Sequence, residues 1–269
     1  MIPIFVHTLR SQRWPVLVTS LGLAALGFLL AASYESLGQQ GLEFLGESMP
    51  RAIAALMKTE GSLLISAGPE GYLAIGFRHP LVLIVVSAFA IAGASSAVAR
   101  EIERRTILLL LARPIPRYYL VLGKGATSVI ALASLLGALL AGTFVGVYAQ
   151  GLGDSVALGP FLIISANALA LGLAVLGYSY LISAYSSDGG SAILLSTALT
   201  VVLFFIDFVA GLFDVLEPMG LLSVFHYYDP VAVAVDRGVP VGHFLVLLGV
   251  ATATFTGAAV YFQRRDISA

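Results

Sequence analysis

The chain has 269 residues, of which 59% are hydrophobic and 11% are charged, with 28 Gly, no Cys and a formal net charge of −1. Soluble domains carry roughly 25% charged residues, so this chain has too few polar side chains to cover a water-exposed surface. The balanced charge argues against a nucleic-acid-binding protein, which would have a basic surplus on one face. Without cysteine, disulfide frameworks, thiolate zinc sites and cysteine nucleophiles are excluded. The composition therefore predicts an integral membrane protein.

Six apolar stretches divide the chain into predicted membrane spans, at residues 16–33, 80–99, 125–149, 158–184, 190–213 and 243–262. Each is close to the roughly 20 apolar residues that a helix needs to cross a hydrocarbon core about 30 Å thick. Of the 29 charged residues, 28 lie outside these stretches, and Asp207 is the exception. No stretch shows the polar–apolar alternation of membrane β-strands. We therefore expect an all-α integral membrane fold with six transmembrane helices, in one transmembrane domain over residues 1–269.

The connections between the spans differ in their content of Lys and Arg. Ten of the 14 basic residues lie in the N-terminal segment, the 100–124 connection and the C-terminal tail, and four lie on the opposite side: Arg51, Lys58, Arg78 and Arg237. Because basic connections stay in the cytosol, both termini are expected to be cytoplasmic. Twelve Arg against two Lys hint at a GC-rich bacterial source, so we expect a multi-pass protein of the bacterial inner (plasma) membrane.

Two segments outside the spans have amphipathic patterns. In residues 1–14, apolar residues recur at helical spacing before Arg10 and Arg13, which favours a short interfacial helix; the alternative is that the first helix begins early. In residues 35–79, apolar residues from Leu42 to Leu56 recur at three- and four-residue steps, which predicts an amphipathic helix on the outer side. Pro50 is expected to break that helix or to start a second piece.

The connection over residues 100–124 combines a cluster of charges, the apolar run Ile107–Leu111 and two prolines. The run is too short to span a membrane, and exposing five apolar residues to water is costly, so it either packs under the bundle or docks into a groove on another protein. Glu101 and Glu103 are two positions apart and diverge by about 200° on a helix, which argues against a paired-carboxylate catalytic site. We expect them to form salt bridges with neighbouring arginines (Arg100, Arg104 and Arg105).

This connection resembles the first cytoplasmic loop of ABC-2 type transporter permeases. That family's loop has a Glu-rich start, Gly-Thr-Leu, an apolar run, a Pro and a closing Leu-Gly-Lys. The matching residues are Glu101, Glu103, Thr106, Leu110, Leu111, Pro114, Arg117, Gly123 and Lys124. Arg105 stands where the family has Gly, and Leu108 where an acidic residue is common. Further agreement lies at Pro69–Leu73, Phe225–Pro230 and Arg264–Asp266, so the resemblance extends over nearly the whole chain.

The resemblance implies the transmembrane subunit of an ATP-driven exporter, in which two copies of this chain pair with two cytosolic ATPase subunits. It implies that the 100–124 loop supplies the helix that seats in the ATPase, through Arg104 and the matching residues above other than Gly123. Asp188, in the short 185–189 turn that is expected on the same side, is a candidate for a second, smaller contact with the ATPase. No G-x-x-x-x-G-K-[ST] motif occurs in the chain. We therefore expect a non-catalytic subunit that holds no cofactor, with ATP and Mg bound by the partner, membrane lipids around it and no nucleic acid as a partner.

Asp207 is the candidate residue of the translocation path, because a charge at mid-helix costs roughly 2.5–3.5 kcal/mol on insertion scales. One interpretation is that it lines the substrate cavity or pairs with a cationic cargo; the other is that it snorkels outward near Asp214 and Glu217, or is protonated. Asn167 is a second polar candidate in the spans. His226, Asp229 and Asp236 have metal-ligating side chains, but four His and no Cys in the chain argue against a metal site.

The sequence thus favours the permease subunit of an ABC transporter that exports a hydrophobic or amphipathic compound. The alternative is a secondary transporter, which needs coupling-ion sites at mid-membrane; only Asp207 qualifies there. An integral membrane enzyme is third, since no cluster of catalytic residue types lies within the spans.

Overall fold

The structure is a computed structural model that describes residues 2–34, 50–58, 61–103 and 118–265. In chain order its α-helices are α1 (Ile2–Ala32), α2 (Arg51–Met57), α3 (Gly61–Arg78), α4 (Pro80–Ala97), α5 (Ala99–Glu103), α6 (Tyr118–Ala149), α7 (Leu158–Tyr185), α8 (Gly189–Leu212), α9 (Pro230–Asp236) and α10 (Val241–Arg264). Two 3₁₀ segments, Asp214–Leu222 and Val224–Tyr227, lie between α8 and α9.

The described residues form six helical segments that are long and apolar enough to cross a membrane. Five of them are α1, α6, α7, α8 and α10, and the sixth consists of α4 continued by the short α5. They coincide with the six predicted spans, so the all-α membrane fold is confirmed. Local sequence explains several helix starts. Pro80 and Pro230 stand at first-turn positions, where a missing N–H costs nothing. The side chains of His79, Asp188 and Asp229 each accept a hydrogen bond from a backbone N–H in the first turn of the helix that follows.

The N-terminal part of the chain follows the alternative in which the first helix begins early, because α1 is continuous from Ile2 through Pro15 to Ala32. In the connection that follows, Pro50 is the N-cap of α2. The part of the predicted amphipathic helix that precedes Pro50, from Leu42 on, lies outside the described residues. Helix α3 is kinked at Gly68, whose φ of 53° is accessible to glycine without strain.

The helices divide into a central and a peripheral set. In α4, α6 and α7, 50–67% of the most apolar window is buried within the chain, against 17–22% in α1, α8 and α10. Helix α1 packs on α6 and α10 packs on α7. The backbones of α1 and α6 approach closely at Gly142, where an added Cβ would lie 2.0 Å from the carbonyl oxygen of Ala24 in α1.

The two ends of the bundle differ. The loop-rich end carries residues 50–79 and 213–240, and the terminal end carries residues 98–103, 118–124, 185–189 and 265.

Candidate functional site

Asp207 lies in the last part of α8, at the loop-rich end, and is 2% exposed. Its Oδ2 atom accepts a hydrogen bond of 2.9 Å from Nη2 of Arg78, the last residue of α3. Its Oδ1 atom lies 2.7 Å from Nζ of Lys58, which ends α2 in the left-handed conformation. One buried carboxylate therefore pairs with two cations from separate helices, which meets the requirement that a buried charge be paired.

The two cations also donate hydrogen bonds to backbone carbonyl groups at the end of α2 and in residues 226–228. Nε of Arg78 donates to the carbonyl of Leu56 at 3.1 Å, and Nη1 of Arg78 donates to the carbonyl of Tyr228. Nζ of Lys58 donates to the carbonyl of His226 at 2.9 Å. We call Lys58, Arg78 and Asp207 the ionic cluster. It joins α2, α3, α8 and the 3₁₀ segment before α9 at one point.

Tyr228 strengthens the same junction from the other side. It is fully buried, and its hydroxyl donates to the carbonyl of Phe77 at 3.0 Å. Since Arg78 donates to the carbonyl of Tyr228, the end of α3 and residue 228 are linked in both directions. The Phe225–Pro230 motif therefore contains a residue that closes the loop-rich end.

Sequence reasoning missed the partners of Asp207. Both interpretations of this residue left it without a partner in the chain, whereas the structure supplies Arg78 and Lys58. One signal was available, because these are two of the four basic residues on the same predicted side of the membrane as the end of α8. Nothing in the local pattern selects them over Arg51 and Arg237.

A cavity of about 730 Å³ opens beside the ionic cluster. Its charged and titratable lining residues are Arg51, Lys58, Asp207, Asp214, Glu217, His226, Asp229 and His243. Asp207 therefore does line a polar cavity, but its charge is already matched by Arg78 and Lys58. Asn167 is not among the residues that line it; this side chain is 1% exposed, and neither amide atom has a hydrogen-bond partner among the described residues.

The environment of the cluster lowers two pKa values. Burial first, and then the Arg78 charge, lowers the pKa of Lys58 from 10.5 to about 8. Burial first, and then the Lys58 charge, lowers the pKa of His226 from 6.5. Both effects favour the neutral form of the His226 ring, whose Nδ1 atom lies 3.8 Å from Asp207 Oδ1.

The lowered pKa of Lys58 predicts a pH dependence of stability. Between pH 8 and 10.5 the unfolded chain holds the Lys58 proton that the folded chain releases, so the free energy of unfolding rises with pH. One proton gives a slope of at most about 1.4 kcal/mol per pH unit. Unfolding of wild type and Lys58→Met, measured in detergent across this range, isolates the effect from other titrating groups. Equal slopes for the two proteins would contradict the assignment.

At the terminal end, the described part of the predicted ATPase-coupling set forms one ion pair and one group of contacts at the start of α8. Oε1 of Glu101 pairs with Nζ of Lys124 at 2.7 Å. Oε2 of Glu103 accepts a hydrogen bond of 2.9 Å from the backbone N–H of Gly189, the first residue of α8. Asp188 is the N-cap of that helix, and the bond from the Ser191 N–H lowers the pKa of its carboxyl.

Neither of these partners is Arg100, and the other two arginines that the sequence suggested for the glutamates, Arg104 and Arg105, lie outside the described residues. A contact between residue 103 and the 185–189 turn was not readable from the sequence, because the two segments are 86 positions apart. The rest of the set lies outside the described residues: Arg104, Thr106, Leu110, Leu111, Pro114 and Arg117.

The metal-ligating side chains singled out from the sequence lie at three different places in the fold. Asp229 caps α9, His226 lies beside the ionic cluster, and Asp236 ends α9. Across the described ranges, no group of three or more His, Asp or Glu side chains is placed to hold a metal ion.

Comparison with known proteins identifies the family. Residues 10–267 match the family model described as ABC-2 family transporter protein. A search of curated proteins found no match.

Proposed function

The chain belongs to the ABC-2 family of transporter proteins, and from this premise we propose that it is the permease subunit of an ATP-binding cassette exporter, with ATP hydrolysed by a separate cytosolic subunit. The observation that carries the proposal is the family match over residues 10–267, together with six helices that are able to cross a membrane. The cargo class that we propose is a hydrophobic or amphipathic compound. The chain itself is proposed to be non-catalytic, with ATP and Mg held by the partner.

The proposed assembly contains two copies of this chain and two ATPase subunits in a bacterial inner membrane, with the terminal end in the cytosol. The excess of Lys and Arg at that end supports this orientation. The chain has no cysteine, so single cysteines report the orientation without background. A cysteine at exposed Asp214 should react with a membrane-impermeant maleimide added to intact cells, and one at Gln263 should react only after permeabilisation. The reverse pattern would overturn the orientation.

Hydrogen bonds at the terminal end connect the start of the 100–124 connection to α8. Glu101 and Glu103 stand where the 100–124 connection begins, and Glu103 binds the first residue of α8. A second bond, of 2.9 Å, runs from Oγ of Ser95 to the carbonyl of Gly189. We propose that movement of the connection against the ATPase is passed through these bonds to α8, with Asp188 at the contact surface.

At the other end of α8, we propose that Asp207 keeps the loop-rich end of the transport path closed. Its charge is matched by Arg78 and Lys58, so it does not bind a cationic cargo. Through these two cations it links α2 and residues 225–228 to the last part of α8. For the cargo to be released at the loop-rich end, these ion pairs and hydrogen bonds must then break. Asn167 is the second proposed polar point on the path, because its buried amide has no partner among the described residues.

A photo-cross-linking amino acid at Ser187 tests the proposal. Ser187 is exposed in the turn between α7 and α8, and replacing it leaves the Asp188 cap intact. We expect it to cross-link to a soluble ATPase in native membranes. The matched control is Val215, which is 90% exposed at the loop-rich end and should give no such product. Absence of an ATPase cross-link at Ser187, or equal cross-linking at Val215, would contradict the proposed partner.

A further inference from the structure

A second polar cavity, of about 500 Å³, lies at the terminal end between α1 and α4, with α6 as its floor. We call it the α1–α4 cleft. It lies at the opposite end of the bundle from the ionic cluster. The proposed transport mechanism assigns no role to the cavity itself, although Glu101 and Lys124 of its lining belong to the ATPase-coupling set. Its volume falls in the range of small-ligand sites, roughly 300–1,000 Å³.

The cleft changes from polar to apolar along the membrane normal. Its charged lining residues lie at the terminal end, where α4 gives way to α5 and α6 begins: Arg100, Glu101 and Lys124. Phe89 lines the deeper part. It lies seven residues before Ser96, which is roughly 10 Å along the helix axis. A ligand that fills the cleft must therefore have a polar end at the interface and an apolar end in the hydrocarbon.

The polar end of the cleft carries an excess positive charge. Arg100 and Lys124 stand against the single carboxylate of Glu101, which gives a formal charge of +1. Lys124 is 9% exposed, and its ammonium group has three N–H donors. Two of them have partners, Glu101 at 2.7 Å and the Ser96 carbonyl at 3.2 Å. Arg100 is half-buried and has no hydrogen bond or ion pair to a described residue.

An anionic group at this point would satisfy the remaining donors. A guanidinium such as that of Arg100 can bind phosphate oxygens in a fork geometry, and Lys124 lines the same cavity with one N–H donor left over. Gln12 of α1 also lines the cleft and brings amide donors from the opposite wall. Basic pockets between transmembrane helices on the cytoplasmic side are the sites where anionic lipid head groups bind.

We propose that the α1–α4 cleft binds one anionic phospholipid, with its phosphate between Arg100 and Lys124 and its acyl chains along Phe89. The bundle is surrounded by lipid, and the cleft has an exposed wall at Ala92, so a lipid can enter sideways. Exposed Trp14 of α1, with Arg13 5.6 Å from its ring, is typical of the membrane interface, where a head group is located. A soluble phosphate ester would fill only the polar end.

The test is native mass spectrometry of the full chain, with any subunit that co-purifies, during titration with palmitoyl-oleoyl phosphatidylglycerol or the phosphatidylcholine with the same acyl chains. We expect one phosphatidylglycerol to bind in preference to phosphatidylcholine. Arg100→Gln should weaken phosphatidylglycerol binding about five-fold, the effect of one arginine near a head group. The matched control is Arg264→Gln, also at the terminal end but not in the lining of the cleft, and it should leave this binding unchanged.

A second variant tests the apolar part of the site. Ala92→Phe fills the cleft without changing its charge, and it should weaken binding of phosphatidylglycerol while leaving the thermal unfolding of the chain unchanged. Equal affinity for the two lipids, no effect of Arg100→Gln, or equal effects of Arg100→Gln and Arg264→Gln would overturn the proposal. Displacement of phosphatidylglycerol by inorganic phosphate would also overturn it, since the site would then be one for a soluble anion.

Discussion

Replacing Asp207 with asparagine will lower the free energy of unfolding by about 3–5 kcal/mol, the cost of breaking a buried ion pair by removing one partner. Asparagine fits the space, but it leaves Arg78 and Lys58 buried without a counter-charge. Arg78 is 3% exposed and cannot lose its proton, so it cannot avoid this cost by becoming neutral. Thermal or denaturant unfolding in a mild detergent measures the difference.

The control for this change is Asp214→Asn, which removes an exposed carboxylate just beyond the end of α8. It should change the free energy of unfolding by less than about 0.5 kcal/mol. In the Arg78→Gln/Asp207→Asn double variant, the loss in free energy of unfolding should be smaller than the sum of the losses in the two single variants, because the same ion pair is broken in each of them. If Asp207→Asn and Asp214→Asn both changed the free energy of unfolding by a similarly small amount, the ionic cluster would not stabilise the loop-rich end as described.

Replacing Gly142 with alanine will separate α1 from α6. The new Cβ would lie 2.0 Å from the Ala24 carbonyl oxygen and 2.6 Å from its Cα, and backbone atoms cannot move aside as a flexible side chain can. Overpacking of this kind costs about 1–3 kcal/mol. Since α1 packs mainly on α6, we expect lower thermal stability and faster proteolysis within α1.

Gly137→Ala is the matched control, on the same helix. A Cβ on Gly137 meets no atom within 4 Å, so alanine should be neutral or stabilise the helix by up to about 1 kcal/mol. The two variants have the same composition and differ only in what the methyl group contacts. Equal stability of Gly142→Ala and Gly137→Ala would show that α1 and α6 do not approach as closely as described.

The membrane fold was predictable from the sequence because a single physical constraint determines it. Hydrocarbon excludes charge, so the positions of 29 charged residues mark the six spans. The observed helices end close to the predicted bounds, while α1 and α6 begin earlier, at Ile2 and Tyr118. Pro80, Asp188 and Asp229 add local signals for helix starts. The course of residues 1–14 was not predictable in the same way, because the sequence allowed either a separate interfacial helix or an early start of the first span, and α1 is continuous through Pro15.

The contacts of the site were not predictable in the same way. Arg78 is 129 positions from Asp207, and a sequence without periodic repeats does not tell which helices are neighbours. Gly142 and Gly137 look alike in the sequence, yet only Gly142 touches another helix. The Glu103–Gly189 bond likewise depends on how α5 meets α8. The sequence identified Asp207, Glu103 and Asp188 as residues of interest, and the structure supplied their partners.

The measurement that tests the central claim most directly is a mild-detergent pull-down of the chain from its native membrane, with mass spectrometry of the proteins that come with it. We predict a stoichiometric soluble protein with a G-x-x-x-x-G-K-[ST] sequence, which is lost when Ile107–Leu111 is made polar and is retained when the exposed residues Val239 and Val241, at the opposite end, are made polar. A chain that purifies folded and alone, and whose transport is driven by an ion gradient, would contradict the ATP-driven permease and favour a secondary transporter.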